Sequence, residues 1–344
     1  MVEFRDLYKS SSDNQRKQTL EDTEVSSKDL PQAPDQDLSK TSADDESSKI
    51  VYRKACGYIG EVFGAARAKV SFSLEPGIEI IQNVVEIQSV NDSLFALALH
   101  LDDRDNFMIN HCVNVAIFAI KLGTNLGFNK DQQVEIGIAA LMHDVGTVFI
   151  PDSIVNKKER LSDEEFHLFR ERPEYSYRIL RSLEGNYAHL AEIAIQVYEK
   201  IDGSGYPQGI KSEEIHEYAQ IIGLVDMYEA LIHSRPQREK FLHFAAVKEI
   251  VKNNKNSFQR RHLKVLLSTF SIFPVYSYVQ LNSDAIGKVV ATYPDQPMRP
   301  MLQIVYDSQR RRVLTGRIVN LPESPLLYIV DSVSEEKLKE IADA

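Results

Sequence analysis

The chain contains no tryptophan, only two cysteines, Cys56 and Cys112, and no charge-free apolar run near the roughly 18 residues that a membrane span requires. Two cysteines cannot build a disulfide framework, and Met1 to Leu20 carry no signal-peptide pattern; the expectation is a reducing, cytoplasmic setting with nothing crossing a bilayer. A basic surplus is also missing. The formal net charge is -10, which argues against a protein that coats nucleic acid or an anionic membrane surface. No internal repeat at solenoid periods is visible. What is present is ordinary for a globular protein: 344 residues, 43% hydrophobic and 26% charged, a length that suits about two folded units.

The first fifty residues hold twelve acidic against seven basic side chains, with little to bury, and read as a disordered acidic tail over residues 1–49. From Val51 the apolar spacing turns helical. Val51, Cys56, Ile59 and Val62, then Ile78, Ile81, Val84 and Val85, then Leu94, Leu97 and Leu101 recur at three and four residues. Pro76-Gly77 is expected to separate the first two helices, which occupy residues 50–92. A helical domain over 93–271 follows, with helices at Val113 to Leu126, from an Asn129 cap to Met142, from a Ser162 capping box to Leu183, and at Leu190 to Glu199, Glu217 to Ile232 and Phe241 to Val251. Beyond Phe273-Pro274, Tyr276 to Leu281, Gly287 to Thr292, Leu302 to Tyr306 and Leu327 to Val330 alternate like strands and predict a small antiparallel β module over 272–334. Residues 335–344 form a closing tail with a short exposed helix from Glu335 to Asp343. The fold class is therefore mainly α: a helical bundle with a small C-terminal β module.

Four features carry chemistry. His143-Asp144, at the end of an apolar helix, offers an imidazole nitrogen and a carboxylate to one divalent cation. Asp226 lies within Ile221 to Tyr228, where a carboxylate needs a cationic partner: an arginine such as Arg235 or Arg238, or a metal ion. His111, on one side with Val115 and Phe118, is either a hydrogen-bonded core residue or a ligand. Asp202-Gly203-Ser204-Gly205-Tyr206-Pro207 is a glycine-rich loop between helices.

Taken in order with Ser234-Arg235-Pro236, these segments strongly resemble the HD-GYP family over roughly Ser93 to Val251, and the β module is similar to the C-terminal extension of some members. The resemblance implies an HD-type bundle and a metal-dependent phosphohydrolase of bacterial cyclic di-GMP signalling, with two or three iron or manganese ions whose bridging hydroxide attacks a phosphodiester. It implies His111, His143, Asp144 and Asp226 as the ligands of one metal, Asp144 also as a catalytic group, and Gly205, Tyr206 and Pro207 as an exposed partner-binding loop, for example for a diguanylate cyclase.

The chain departs from that pattern where the second metal is bound. Arg172 stands at an expected histidine before Pro173-Glu174, Val197 and Tyr198 stand at two more, Thr147 replaces a phosphate-binding lysine, and Phe107 replaces the glutamate of trinuclear members. Valine cannot ligate, tyrosine is a poor ligand unless ionised, and arginine stays protonated, so the second site is expected to be lost. Arg172 either supplies a fixed charge in place of that metal, as a catalytic or phosphate-holding group, or points to solvent or Glu174. Thr147, Arg172, Arg235 and Arg238 are the candidate ligand-binding residues. The expectation is one divalent ion, iron or manganese, and a module that binds cyclic di-GMP, a related nucleotide or a partner protein with little or no hydrolysis. The alternative is an active phosphodiesterase with a mononuclear or altered site. The first helices carry enough apolar surface to cover the bundle or to pair two chains. Arg310, Arg311 and Arg312 suggest a solvated basic hairpin or an anion site.

Overall fold

The computed structural model describes residues 38–101, 106–183, 185, 187–235, 240–254, 256–270, 273, 275–293, 296–313 and 316–342. Residues 1–37 of the tail expected over 1–49 lie outside them. Two units are present, one over residues 43–270 and one that holds every strand.

The helical unit runs α1 (Leu38–Arg67), α2 (Glu75–Val90), α3 (Ser93–His100), α4 (Phe107–Asn125), α5 (Lys130–Met142), α6 (Asp152–Val155), α7 (Asp163–Phe169), α8 (Arg172–Arg181), α9 (Ala188–Gln196), α10 (Glu217–Ile232), α11 (His243–Asn254) and α12 (Arg260–Thr269). At its centre is α4, buried around nearly its whole circumference and packed on α3, α5, α10 and α12. By length and composition α4 is apolar enough to cross a membrane, though it reaches that length only by including Lys121, and most of it is buried inside the bundle. The rings of Phe95, Phe118, Tyr228 and Phe270 meet edge to face beside it, with centroids 4.9–6.1 Å apart.

The Ser162 capping box read from the sequence forms, and the Asn129 cap is a capping box as well. Asn129 accepts from the Gln132 backbone and Ser162 from that of Glu165, and each glutamine or glutamate side chain returns the bond. Other boundaries differ from expectation. The first helix begins at Leu38, so part of the stretch expected to be tail is helical, and Ser48 is buried with its hydroxyl on that of Ser93. Pro76-Gly77 does not separate two helices but opens α2, since proline lacks only a donor that the first turn leaves unused. The helix expected over Ser162 to Leu183 is two: the Pro173 ring opposes the carbonyl of Phe169, four residues earlier, where α7 ends. Glu199, expected at the end of a helix, follows the end of α9.

The second unit is a five-stranded antiparallel sheet of β1 (Tyr278–Leu281), β2 (Ile286–Ala291), β3 (Met301–Tyr306), β4 (Ile318–Asn320) and β5 (Ile329–Val333), in the order β4-β3-β2-β1-β5. Val279, Leu281, Val289, Leu302 and Ile304 alternate into its core. The closing helix α13 (Glu335–Ala342) places Leu338 and Ile341 on Ile286, Tyr306 and Val333. In the basic hairpin Arg311 pairs with Asp307 at 2.8 Å.

Candidate metal centre

Three helix segments converge on one buried cluster. α4 presents His111 one turn from its start, the end of α5 presents His143 and Asp144, and α10 presents Asp226 and, one turn later, Glu229. The ligating atoms of His111, His143 and Asp144 all lie within 4.8 Å of one another. Asp226 joins them, with Oδ1 3.0 Å from His111 Nε2 and 3.4 Å from His143 Nε2.

The far sides of both imidazoles are held. His143 Nδ1 donates to the Ala140 carbonyl at 2.7 Å, and His111 Nδ1 donates to Glu229 Oε2 at 2.5 Å. Each bond uses the proton on Nδ1 and turns Nε2 inward to the cluster, the outer arrangement typical of metal-ligating histidines. Glu229 is itself braced by Asn114 at 3.1 Å and His233 at 3.0 Å, with Arg235 at 3.6 Å, and Asn114 accepts from the Tyr52 hydroxyl at 2.8 Å. Arg235 therefore serves Glu229, and the partners of Asp226 are the two histidines. In the sequence Glu229 has no evident role beyond its position three residues after Asp226, on the same face of an apolar helix.

Burial pushes the carboxyls of Asp226 and Glu229 up, but the histidines hold both well below the usual range; Asp144 is likewise desolvated and yet lowered, chiefly by Arg172. Burial lowers His111 too, but the facing carboxylates outweigh it and raise its pKa to about 9. His143 Nε2 and Asp144 Oδ1 are enclosed without a hydrogen bond to any described residue, although Asp226 lies 3.4 Å from the first and Arg172 3.1 Å from the second. Orphaned acceptors beside a carboxylate and a second imidazole fit a divalent cation, which would satisfy them at once.

On the other side of Asp144 lies Arg172, the first residue of α8. It is 7% exposed, and its Nε is 3.1 Å from Asp144 Oδ1. Its guanidinium carbon sits 4.1 Å from the ring centroids of both Phe169 and Tyr198. Tyr198 in turn stacks on Tyr206, centroids 5.2 Å apart at 6°, and Arg170 covers Tyr206 at 4.2 Å. Glu174, the alternative partner for Arg172, faces Arg178 instead. Gly146 makes this placement possible, because a Cβ there would lie 2.3 Å from the Arg172 carbonyl oxygen and from Ser176 N. Gly223 does the same between α10 and the turn after α9, where a Cβ would lie 2.3 Å from the Val197 carbonyl oxygen.

The remaining predicted residues are placed unevenly. Thr147 is buried, its hydroxyl without a partner among the described residues. Val197 is buried apolar core. Gly205, Tyr206 and Pro207 were expected as an exposed loop; all three are half-buried, because the Tyr206 ring is used in the stack and Glu199 Oε1 accepts from Gln208 N at 2.6 Å and Gly209 N at 3.1 Å. Arg238 lies outside the described residues.

Residues 96–261 match the HD domain family, and residues 278–341 match the family described as a KOW domain associated with HD domain. The cyclic di-GMP phosphodiesterase PdeB of Borreliella burgdorferi is 33% identical over 201 residues, 58% of this chain and 52% of that relative. Residues 96–261 of the chain are an HD domain. Another relative, the 3'3'-cGAMP-specific phosphodiesterase 1 of Vibrio cholerae, is 26% identical over 163 residues, 47% of this chain and 38% of its own. The chain spans about half the length of the curated relatives it matches, or less. Among solved structures, an HDG"Y"P protein from Bdellovibrio bacteriovorus shares the fold with a TM-score of 0.55 at 18% identity, over 64% of this chain and 70% of that one.

Proposed function

We propose that this HD-GYP module holds one divalent cation, iron or manganese, on His111, His143, Asp144 and Asp226, and binds cyclic di-GMP or a related cyclic dinucleotide with little or no hydrolysis. The observation that carries this reading is the Arg172 ion pair with Asp144 at 3.1 Å, wrapped by the rings of Phe169 and Tyr198. A guanidinium cannot be deprotonated and repels a second dication, while it remains a good partner for a phosphate. A bound divalent ion supplies Lewis acidity and lowers the pKa of bound water, and two-metal sites stabilise both the attacking and the leaving oxygen. Losing one such contribution costs a factor of ten in rate for each ~1.4 kcal/mol. Binding suffers less, since uniform contacts to phosphates and bases need not involve the missing ligands.

In the same reading the module works in the cytoplasm as a regulator. A signalling partner, a diguanylate cyclase among the candidates, approaches over Gly205, Tyr206 and Pro207, and the helices over 50–92 offer a face for pairing two copies.

The intact four-ligand set favours one competing reading, an active phosphodiesterase with a mononuclear or altered site in which Asp144 and Arg172 are catalytic. Metal per chain and cyclic di-GMP turnover separate the two, measured on anaerobically handled protein with manganese or ferrous iron beside a His143→Ala/Asp144→Ala control. One ion per chain without turnover above the control supports the regulator. Turnover that vanishes in the control overturns it.

A further inference from the structure

We infer a phosphoryl-oxygen subsite donated by Arg172 Nη1 and the Tyr198 hydroxyl, placed against the metal cluster; it rests on the reading above and adds Tyr198 as a binding residue. Both donor atoms are fully enclosed and have no acceptor among the described residues. The two side chains face each other, the guanidinium carbon 4.1 Å from the Tyr198 ring centroid. Both also border the cluster: Arg172 through Asp144 at 3.1 Å, and Tyr198 with its ring centroid 6.4 Å from that of His143. A buried donor left without an acceptor is costly, and two of them on side chains in contact call for an acceptor that the described residues do not provide. Nε of Arg172 lies in the ion pair with Asp144, while Nη1 of the guanidinium fork is left without an acceptor among the described residues. Stacking between the Phe169 and Tyr198 rings holds that fork in one orientation, and the further stack of Tyr198 on Tyr206 fixes the phenol ring, so little freedom is lost on binding.

Charge sets how tightly the subsite fills. A divalent cation on His111, His143, Asp144 and Asp226 would add positive charge beside the subsite and strengthen its hold on an anion. The ligand class is therefore a phosphate mono- or diester oxygen that binds more tightly to the metal-loaded protein, which couples the two sites reciprocally.

The test uses the full chain and inorganic phosphate as the probe, titrated calorimetrically with and without saturating Mn2+. Phosphate binding is expected at least tenfold tighter with Mn2+, and Tyr198→Phe, which removes one oxygen and keeps the stack, is expected to weaken it about tenfold while Mn2+ affinity stays unchanged. Arg172→Lys, which keeps the charge but loses the fork, is expected to weaken it similarly. Equal phosphate affinity in Tyr198→Phe and the natural chain overturns the subsite, as does phosphate binding that ignores Mn2+. Failure of Mn2+ to bind at all appears before any phosphate is added and overturns the one-metal reading instead.

Discussion

Arg172 Nε lies 3.1 Å from Asp144 Oδ1 in a place where both side chains are more than nine-tenths buried. A pair of this kind adds little to stability as a pair, yet breaking it leaves a buried charge alone. Arg172→Met is therefore expected to destabilise the metal-free protein by ~3 kcal/mol in urea or guanidinium unfolding. Saturating Mn2+ should recover part of that loss by meeting the freed carboxylate. A variant as stable as the natural chain in chelator would show that the pair is not formed.

The cluster should make stability depend on metal. A ligand that binds only the folded state adds about 2.7 kcal/mol at a hundredfold excess over its dissociation constant. Manganese is expected to raise the melting temperature of the natural chain and leave that of His143→Ala unchanged. An equal rise in both would place the stabilising ion elsewhere.

Gly146→Ala tests the close approach of α8. Its Cβ would overlap the Arg172 carbonyl and Ser176 N, each 2.3 Å away, so the start of α8 must shift. Overpacking of this sort costs about 1–3 kcal/mol. The expected outcome is a lower melting temperature together with altered Mn2+ affinity, because the displaced helix carries Arg172. Unchanged values for both would mean that the backbone yields without strain.

Two histidines away from the cluster set the acid limit. His243, whose Nδ1 accepts from the Tyr228 hydroxyl at 2.8 Å, and His262, fully buried, both have pKa values pushed down to about 4, in each case mainly by burial. The unfolded chain protonates these rings near 6.5. Stability is thus complete above pH 6.5 and falls as the pH drops toward 4, on the order of 2–3 kcal/mol from each ring by pH 4. A His243→Gln variant should show a shallower decline between those values in unfolding experiments. An identical slope would remove His243 as a source.

Much of the site's inner half is legible in the residues themselves. His143-Asp144 follows an uninterrupted apolar helix, and Asp226 is an acid in a run of apolar residues, so each announces a need that only a cation or a histidine can meet. The capping boxes at Asn129 and Ser162 are equally local, and both form. The outer half is not local. Nothing near Arg172 in the chain indicates that it pairs with Asp144, because the contact is made by Gly146 admitting α8 from a distance in sequence. Tyr198 reads as a lost ligand, whereas its ring acts as a wall, a role that only appears once Phe169 stands opposite. Tyr206 reads as loop tip for the same reason: its stacking partner is set by the fold rather than by spacing.

The burial of α4 has a consequence for how the domain is made. Between Phe107 and Ile120 this helix has no acidic residue, lysine or arginine, and its cover comes in part from α10 and α12, synthesised more than ninety residues later. A nascent chain halted after α5 carries an apolar helix covered only in part, so chaperones and translation speed bear on the yield of this protein more than its mild overall composition suggests. Splitting the gene inside the loop before α10 should give fragments that precipitate apart and recover only when mixed during refolding.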